Sequence, residues 1–342
     1  MLLQVTHETR YRYAPAVETA QHMSYMEPRE HAAQWLLDHA LHVNPAPAQM
    51  RSARDVFGNA RCFFSLQVPH AVLEVVAHSL VSTQPSPLVS NSQPWEKVRE
   101  RFRYQAGNRF DAASEFVYPS PFVPRHSEFA AYARSSFTPG AALLDACIDL
   151  TRRIHTEFAY ESQSTQINTP ALQALAERRG VCQDFSHIMI ACLRTLGLPA
   201  RYVSGYMLTH PPEGQPRLVG SDASHAWVSV YLPELPEDAR WVDFDPTNNR
   251  WGWYAPGEDY VTVAHGRDFG DVSPLRGVIH GGASHTLHVG VTVAPVGDNT
   301  LPDLGPTPSQ GQRQSLGLAS QSQSLPGGMS QSQSLHLSQT DN

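Results

Sequence analysis

A thiol, an imidazole and a carboxylate follow one another in the second half of the chain. Cys182 lies in Arg179-Gly180-Val181-Cys182-Gln183-Asp184-Phe185-Ser186, His225 in Ser224-His225-Ala226-Trp227, and Asp245 in Asp243-Phe244-Asp245-Pro246-Thr247-Asn248. A Gly-terminated turn feeds the thiol into the first turn of an apolar stretch. A helix N-terminus presents unpaired N–H groups and partial positive charge, both of which favour thiolate over thiol. The thiolate is the nucleophilic form. An imidazole can take the thiol proton, and a carboxylate on its other ring nitrogen can orient it. The order Cys, His, Asp therefore suggests covalent thiol catalysis.

Each residue has a plainer reading. A free cysteine is most often a small core residue, but those sit mid-helix, as Cys192 does, whereas Cys182 lies where the helix begins. Metal ligation lacks a second Cys or His at ligand spacing. His187 is nearer Cys182 in sequence, yet five helical residues rotate it by roughly 140° to another face. It reads as a packed histidine. Asp243 competes with Asp245 from the same strand face; Asp245 is preferred because strand ends reach clefts. Asp184, two residues into the helix, suits the N-terminal dipole. His280, His285 and His288 are too loosely spaced to argue for a metal site.

The elements that must position these groups can be read coarsely. Apolar residues recur at helical spacing from Ala141 to about Phe158, and Thr169-Pro170 resembles an N-cap followed by proline at N1. That helix should end near Arg179-Gly180. The next, Cys182 to Leu196 with Gly197 as its stop, is apolar nearly all round and so should be buried. Three strands follow: Ala200–Met207, Ala226–Leu232 and Trp241–Asp245, the last stopped by Pro246. A buried helix followed by an antiparallel meander is an α+β pattern.

Upstream, residues 1–85 hold no helical period and read as an antiparallel β-domain. Its strands include Gln4–Tyr13 and Val72–Val81, with a hairpin over Asp55–Val68. Residues 86–138 read as linker and surface segment, with one short helix from Pro94. Residues 139–275 form the candidate catalytic core and 276–300 a C-terminal strand. From 301 to 342 the chain repeats Ser-Gln-Ser-Gln-Ser-Leu and is too poor in apolar residues to bury a core, so disorder is expected.

The 342 residues carry 41% hydrophobic and 17% charged residues, with a net charge of −7. That balance suits a globular protein and argues against nucleic acid as a partner. Lys97 is the single lysine among 25 basic residues. No signal peptide or 18-residue apolar run is apparent, so no membrane span is expected. The four cysteines form no CxxC pair; reduced thiols and a cytoplasmic location are the expectation.

Four segments together resemble the transglutaminase-like superfamily, specifically its bacterial transglutaminase-like cysteine peptidases. They are Arg179–Phe185, Gly197–Tyr206, Ser224–Trp227 and Phe244–Asn248. Thr9–Tyr13 and Asp55–Asn59 look like the β-domain that precedes this core in the family, and Gly266–Pro274 looks like the segment after it. The resemblance covers roughly residues 1–295. It implies a papain- or transglutaminase-like core in which Cys182 is nucleophile, His225 base and Asp245 orienting acid. The Cys182 N–H would be one oxyanion donor; Gln183 is a weak candidate for the second. It implies no cofactor and no metal. The activity implied is cleavage of peptide or isopeptide-like amides through a thioester, with transfer of the acyl group to an amine as the alternative. A non-catalytic binding module would need a missing triad member, and none is missing.

Overall fold

A computed structural model describes residues 1–85, 92–103, 110–161, 169–209, 224–282 and 284–297. The Ser/Gln-rich tail, part of the linker and most of loops 160–168 and 208–220 lie outside the described residues.

The chain begins with a long strand, β1 (Leu2–Ser24), whose first residues alternate between buried and half-buried. This period of two points Leu3 and Val5 inward. Strands β2 (Gln34–Asn44), β3 (Gln49–Arg54), β4 (Ala60–Leu66) and β5 (His70–Thr83) join it in the order β2-β5-β1-β4-β3. The first half of β1 pairs with β5 and the end of it with β4. The hairpin predicted over Asp55–Val68 keeps its turn at Gly58-Asn59 and its second strand, but its first strand is β3, which ends before Asp55. Asp55 Oδ1 accepts from the N–H groups of Phe57 (2.9 Å) and Asn59 (2.8 Å), so Asp55 builds the turn and the leading strand precedes it.

Helices α1 (Trp95–Arg101) and α2 (Ser127–Ala133) flank a 3-10 turn at Ala112–Val117. Residues 86–138 were read above as linker and surface. The structure corrects that: Trp95, Val98, Phe129, Tyr132 and Phe137 are all buried in the main core. Helices of seven residues carry too few turns for their apolar faces to show as a period. Next come α3 (Leu143–Glu157), β6 (Ala159–Tyr160), α4 (Ala171–Glu177), β7 (Arg179–Gly180) and α5 (Cys182–Thr195). The α4 boundaries shift from those expected. Pro170 itself is the N-cap, and Arg178, at φ 54°, is the left-handed C-cap residue.

Helix α5 is buried without a break from Asp184 to Arg194. It packs on a five-stranded antiparallel sheet formed by β8 (Ala200–Met207), β9 (Ser224–Tyr231), β10 (Trp241–Asp245), β11 (Arg250–Trp253) and β12 (Tyr260–Gly266), in the order β11-β10-β9-β8-β12. At its far end Arg194 is buried, and its guanidinium is satisfied by the carbonyls of Tyr118, Ala200 and Arg267 and by Ser120 Oγ. A buried cation needs such a set of acceptors, and this one pins the helix to three distant segments.

After α6 (Phe269–Val272) the chain returns to the first sheet. The single strand expected over 276–300 is two, β13 (Leu275–Gly281) and β14 (Ser284–Pro295), both antiparallel to β1. Leu3, Val5, Val81, Val291 and Val293 belong to the same buried cluster as Ile188 and Val228, so one core runs through both sheets. No helix among the described residues is long and apolar enough to cross a membrane.

Candidate active site

Cys182 is the first residue of α5, half-buried and packed against the core rather than within it. Its position is set by the turn before it. Asp184, the third helical residue, reaches back to accept the Val181 N–H at 2.9 Å, which satisfies one of the groups a helix leaves unpaired. Gly180 is required there: a Cβ on it would lie 2.7 Å from Asp184 Oδ2. The carboxylate expected to serve the helix dipole thus does so by a direct hydrogen bond.

His225 is the second residue of β9 and is buried. Its Nε2 meets Asp245 Oδ2 at 2.7 Å, which leaves Nδ1 free of that bond, and the Cys182 side chain also acts on the imidazole. The three residues singled out in the sequence therefore form one contiguous chain of contacts. Burial works against the imidazolium, but the Asp245 charge and hydrogen bond, with Cys182 behind them, push the His225 pKa up to about 10. Burial likewise opposes ionisation of Asp245, yet the His225 charge and several hydrogen bonds hold its carboxyl down to about 2. The arrangement favours an imidazolium clasped between carboxylate and sulfur.

Asp245 is held from all sides. Its Oδ1 accepts from the N–H groups of Thr247 (2.8 Å) and Asn248 (3.2 Å) in the turn that Pro246 starts. Its Oδ2 accepts from Asn248 Nδ2 and from the Tyr260 hydroxyl, each at 2.7 Å. Neither Asn248 nor Tyr260 was assigned a role from the sequence. Asn248 carries a local signal, an Asx-type turn three residues long. Tyr260 carries none, because it stands on β12 and reaches Asp245 across two intervening strands. Gly205 on β8 makes that space: a Cβ there would sit 2.4 Å from the Trp227 ring and 2.2 Å from the Val261 carbonyl oxygen.

Asp243, the competing carboxylate, is buried elsewhere on the sheet and accepts from Trp227 Nε1 at 2.7 Å. Burial pushes its carboxyl up to about 6. Trp227 packs edge-on against Tyr260 at 5.4 Å between centroids, so Asp243 supports the wall beside His225 rather than touching it. His187 is the packed histidine its helical position predicts. It is buried, stacked on Phe122, and accepts the Phe269 N–H at 3.2 Å.

On the solvent side Tyr160 stays 52% exposed. Its phenol feels burial first and then the charges of Cys182 and Asp245, which together raise it to about 12. Its ring meets Phe185 edge-on at 6.3 Å. Gln183 is half-buried on the first turn of α5. His280 contacts Glu18 and His285 leans on Tyr11, both on the first sheet. Among the described residues no group of three or more His, Cys, Asp or Glu is arranged to hold a metal.

Comparison with known proteins agrees with this geometry at the level of family. Residues 3–82 match the bacterial transglutaminase-like N-terminal region, and residues 130–246 match the transglutaminase-like superfamily. An uncharacterised protein of Mycobacterium tuberculosis is 38% identical over 304 residues, covering 87% of this chain and 94% of its own. A protein-glutamine gamma-glutamyltransferase of Pseudomonas aeruginosa is 32% identical over 127 residues, 36% of this chain and 18% of that protein. A crystal structure of a proposed cysteine protease from Cytophaga hutchinsonii superposes with a TM-score of 0.64 at 20% identity, covering 86% of this chain and 91% of its own. The chain belongs to the transglutaminase-like superfamily, with the superfamily's core set behind a bacterial transglutaminase-like N-terminal region.

Proposed function

We propose that this protein is a cysteine-dependent hydrolase of peptide or isopeptide-like amides, acting through a thioester on Cys182. The observation that carries the reading is His225, hydrogen-bonded to Asp245 and acted on by Cys182 at the start of α5. In the proposed cycle the Cys182 thiolate attacks the amide carbonyl carbon. The carbonyl oxygen becomes an oxyanion beside the Cys182 N–H, which the helix leaves unpaired. His225 gives its proton to the departing amine as the C–N bond breaks, leaving a thioester. Water, deprotonated by His225, then attacks the thioester, and the sulfur leaves as thiolate. Asp245 holds the imidazole in one orientation throughout.

Acyl transfer is the second reading, favoured by the local likeness to the Pseudomonas gamma-glutamyltransferase. The acylation half is unchanged; an amine replaces water in the second half.

Purified protein incubated with small amide substrates, with and without a primary amine, tests both. Hydrolytic product without amine supports the first reading, and amine-bearing product at the expense of acid supports the second. Iodoacetamide should alkylate Cys182 and abolish turnover. Full activity in Cys182→Ala would sink both readings. Because thiol, imidazole and carboxylate supply nucleophile and base, EDTA should leave the rate unchanged.

A further inference from the structure

The outer face of the five-stranded sheet, away from α5, carries a second cluster of charge that the catalytic reading does not use. Arg201 on β8 pairs across the ladder with Ser229, which pairs with Asp243. Its guanidinium lies over Trp241 at 4.1 Å from the ring centroid. It is half-buried, makes no hydrogen bond among the described residues, and its Nε is enclosed without a partner. On the neighbouring strand His265, opposite Val203, is 8% exposed, and its Nδ1 is also enclosed and unpartnered.

The β-domain closes the other side. Asn59 ties the two domains: its Oδ1 accepts from Arg29 Nη1 at 2.6 Å and from the His265 N–H at 2.8 Å. Arg29 is therefore held next to His265. Two residues on, His31 stacks on Tyr254 at 5.8 Å, and its Nε2 is a third enclosed atom without a partner. The four groups act on one another electrostatically, with Asp243 and Asp55 as the opposing charges. Burial, and then the other cations, depress the basicity of His31 and His265; burial also lowers Arg201, to about 9. Enclosed polar atoms without partners cost free energy, and a bound anion removes that cost.

We propose that Arg29, His31, Arg201 and His265 form a site for a phosphate-class oxyanion at the junction of the β-domain and the core. Arg201 supplies an enclosed Nε with no protein acceptor among the described residues, and His31 Nε2 and His265 Nδ1 are the two imidazole atoms left equally unpartnered. Arg29, already engaged with Asn59 and the Phe57 carbonyl through Nη1, adds charge and anchors the site to both domains. The site is separate from Cys182, so it stands or falls independently of the reaction.

Isothermal titration of inorganic phosphate into the full-length protein tests it, with chloride at matched ionic strength as control and phenyl phosphate as a second arm. Saturable heat with phosphate is expected. A gain with phenyl phosphate assigns the site to a phosphate ester packed on Trp241 or Tyr254, and equal affinity assigns it to the free ion. Arg201→Gln and His31→Asn should each weaken binding at least ten-fold while keeping a cooperative thermal transition. Absence of saturable heat in the wild-type protein would overturn the proposal, because the enclosed atoms then serve water alone. Unchanged affinity in the half-exposed His31→Asn variant would overturn it equally, whether or not Arg201→Gln folds.

Discussion

Two buried aspartates two residues apart on β10 are driven in opposite directions, and the difference is who faces them. Asp245 meets an imidazole and four N–H or O–H donors, which outweigh burial and hold it ionised. Asp243 meets burial first, with the Ser229 side chain, an indole N–H and the Arg201 charge against it, which do not outweigh it, and it rises to about 6. The signs of the linkage follow. His225 is raised, so its contribution to stability is complete below its ordinary pKa and fades as pH climbs through about 10. Asp245 is lowered, so its contribution is complete above 3.8 and fades as pH falls through about 2. Asp243 is raised, so the fold loses stability as pH rises from 3.8 through about 6, by at most about 3 kcal/mol. Asp243→Asn keeps an acceptor for Trp227 and removes that ionisation. Its stability relative to wild type, from urea denaturation, should climb between pH 4 and 6; a flat difference would refute the assignment. Tyr260→Phe removes one donor from Asp245 without creating a cavity. It should lower kcat/KM about ten-fold, the order of one hydrogen bond to a charged group, with the thermal transition little changed. Cys182, His225 and Asp245 are legible in the sequence because Gly180 and Pro246 mark the ends of the elements that carry them. Tyr260 is not, since nothing local announces which strand will lie two places away.

At the scale of elements, α5 and the edge of its sheet are positioned by side chains that imitate backbone. Asp184 completes the first turn of α5. Gln34 and Asn59, both from the β-domain, cover the free edge of β12 as a neighbouring strand would. Gln34 Oε1 accepts the Thr262 N–H at 2.8 Å, and Nε2 donates to the Thr262 carbonyl at 2.8 Å. Asn59 does the same for His265, at 2.8 and 2.7 Å. An open edge is a template for pairing with another chain, and here two amides close it. Asn59→Ala would strand a buried N–H and C=O and release Arg29. It should cost about 2–4 kcal/mol by chemical denaturation and increase light scattering on heating; a cost under about 0.5 kcal/mol would show the edge to be satisfied in some other way. Gly180→Ala acts on the nucleophile instead. Its Cβ would push on the Asp184 carboxylate, so kcat/KM and iodoacetamide reactivity of Cys182 should fall together. The helix α5 and the three strands after it are readable from apolar pattern and turn residues. The amide caps are not, because Gln34 and Asn59 look like ordinary loop polar residues until β12 is placed beside them.

For the whole molecule, the sheet built on the first strand also takes in the last strands of the described residues. β13 and β14 lie along β1, and Val291 and Val293 share a buried cluster with Leu3, Val5 and the residues under α5. A division at residue 85 follows composition along the chain, but the packing ignores it, since β1 needs partners from both termini. The sequence offers one strand over 276–300; it shows neither that there are two nor that they pair with β1, as far as 270 or more residues away for β14. His7 adds a polar link of the same reach, its Nδ1 lying 2.9 Å from the Tyr206 hydroxyl on β8. Since apolar burial is the dominant favourable term in folding and here runs unbroken through both sheets, the two should unfold together. Calorimetry should give a single transition with equal calorimetric and van't Hoff enthalpies. Deletion of β13 and β14 should abolish that transition rather than trim it, because it uncovers one long edge of β1 and opens the shared core. Two resolved transitions in the intact chain, or a soluble, cooperative and catalytically active 1–274 fragment, would show instead that the catalytic core stands without the closing strands.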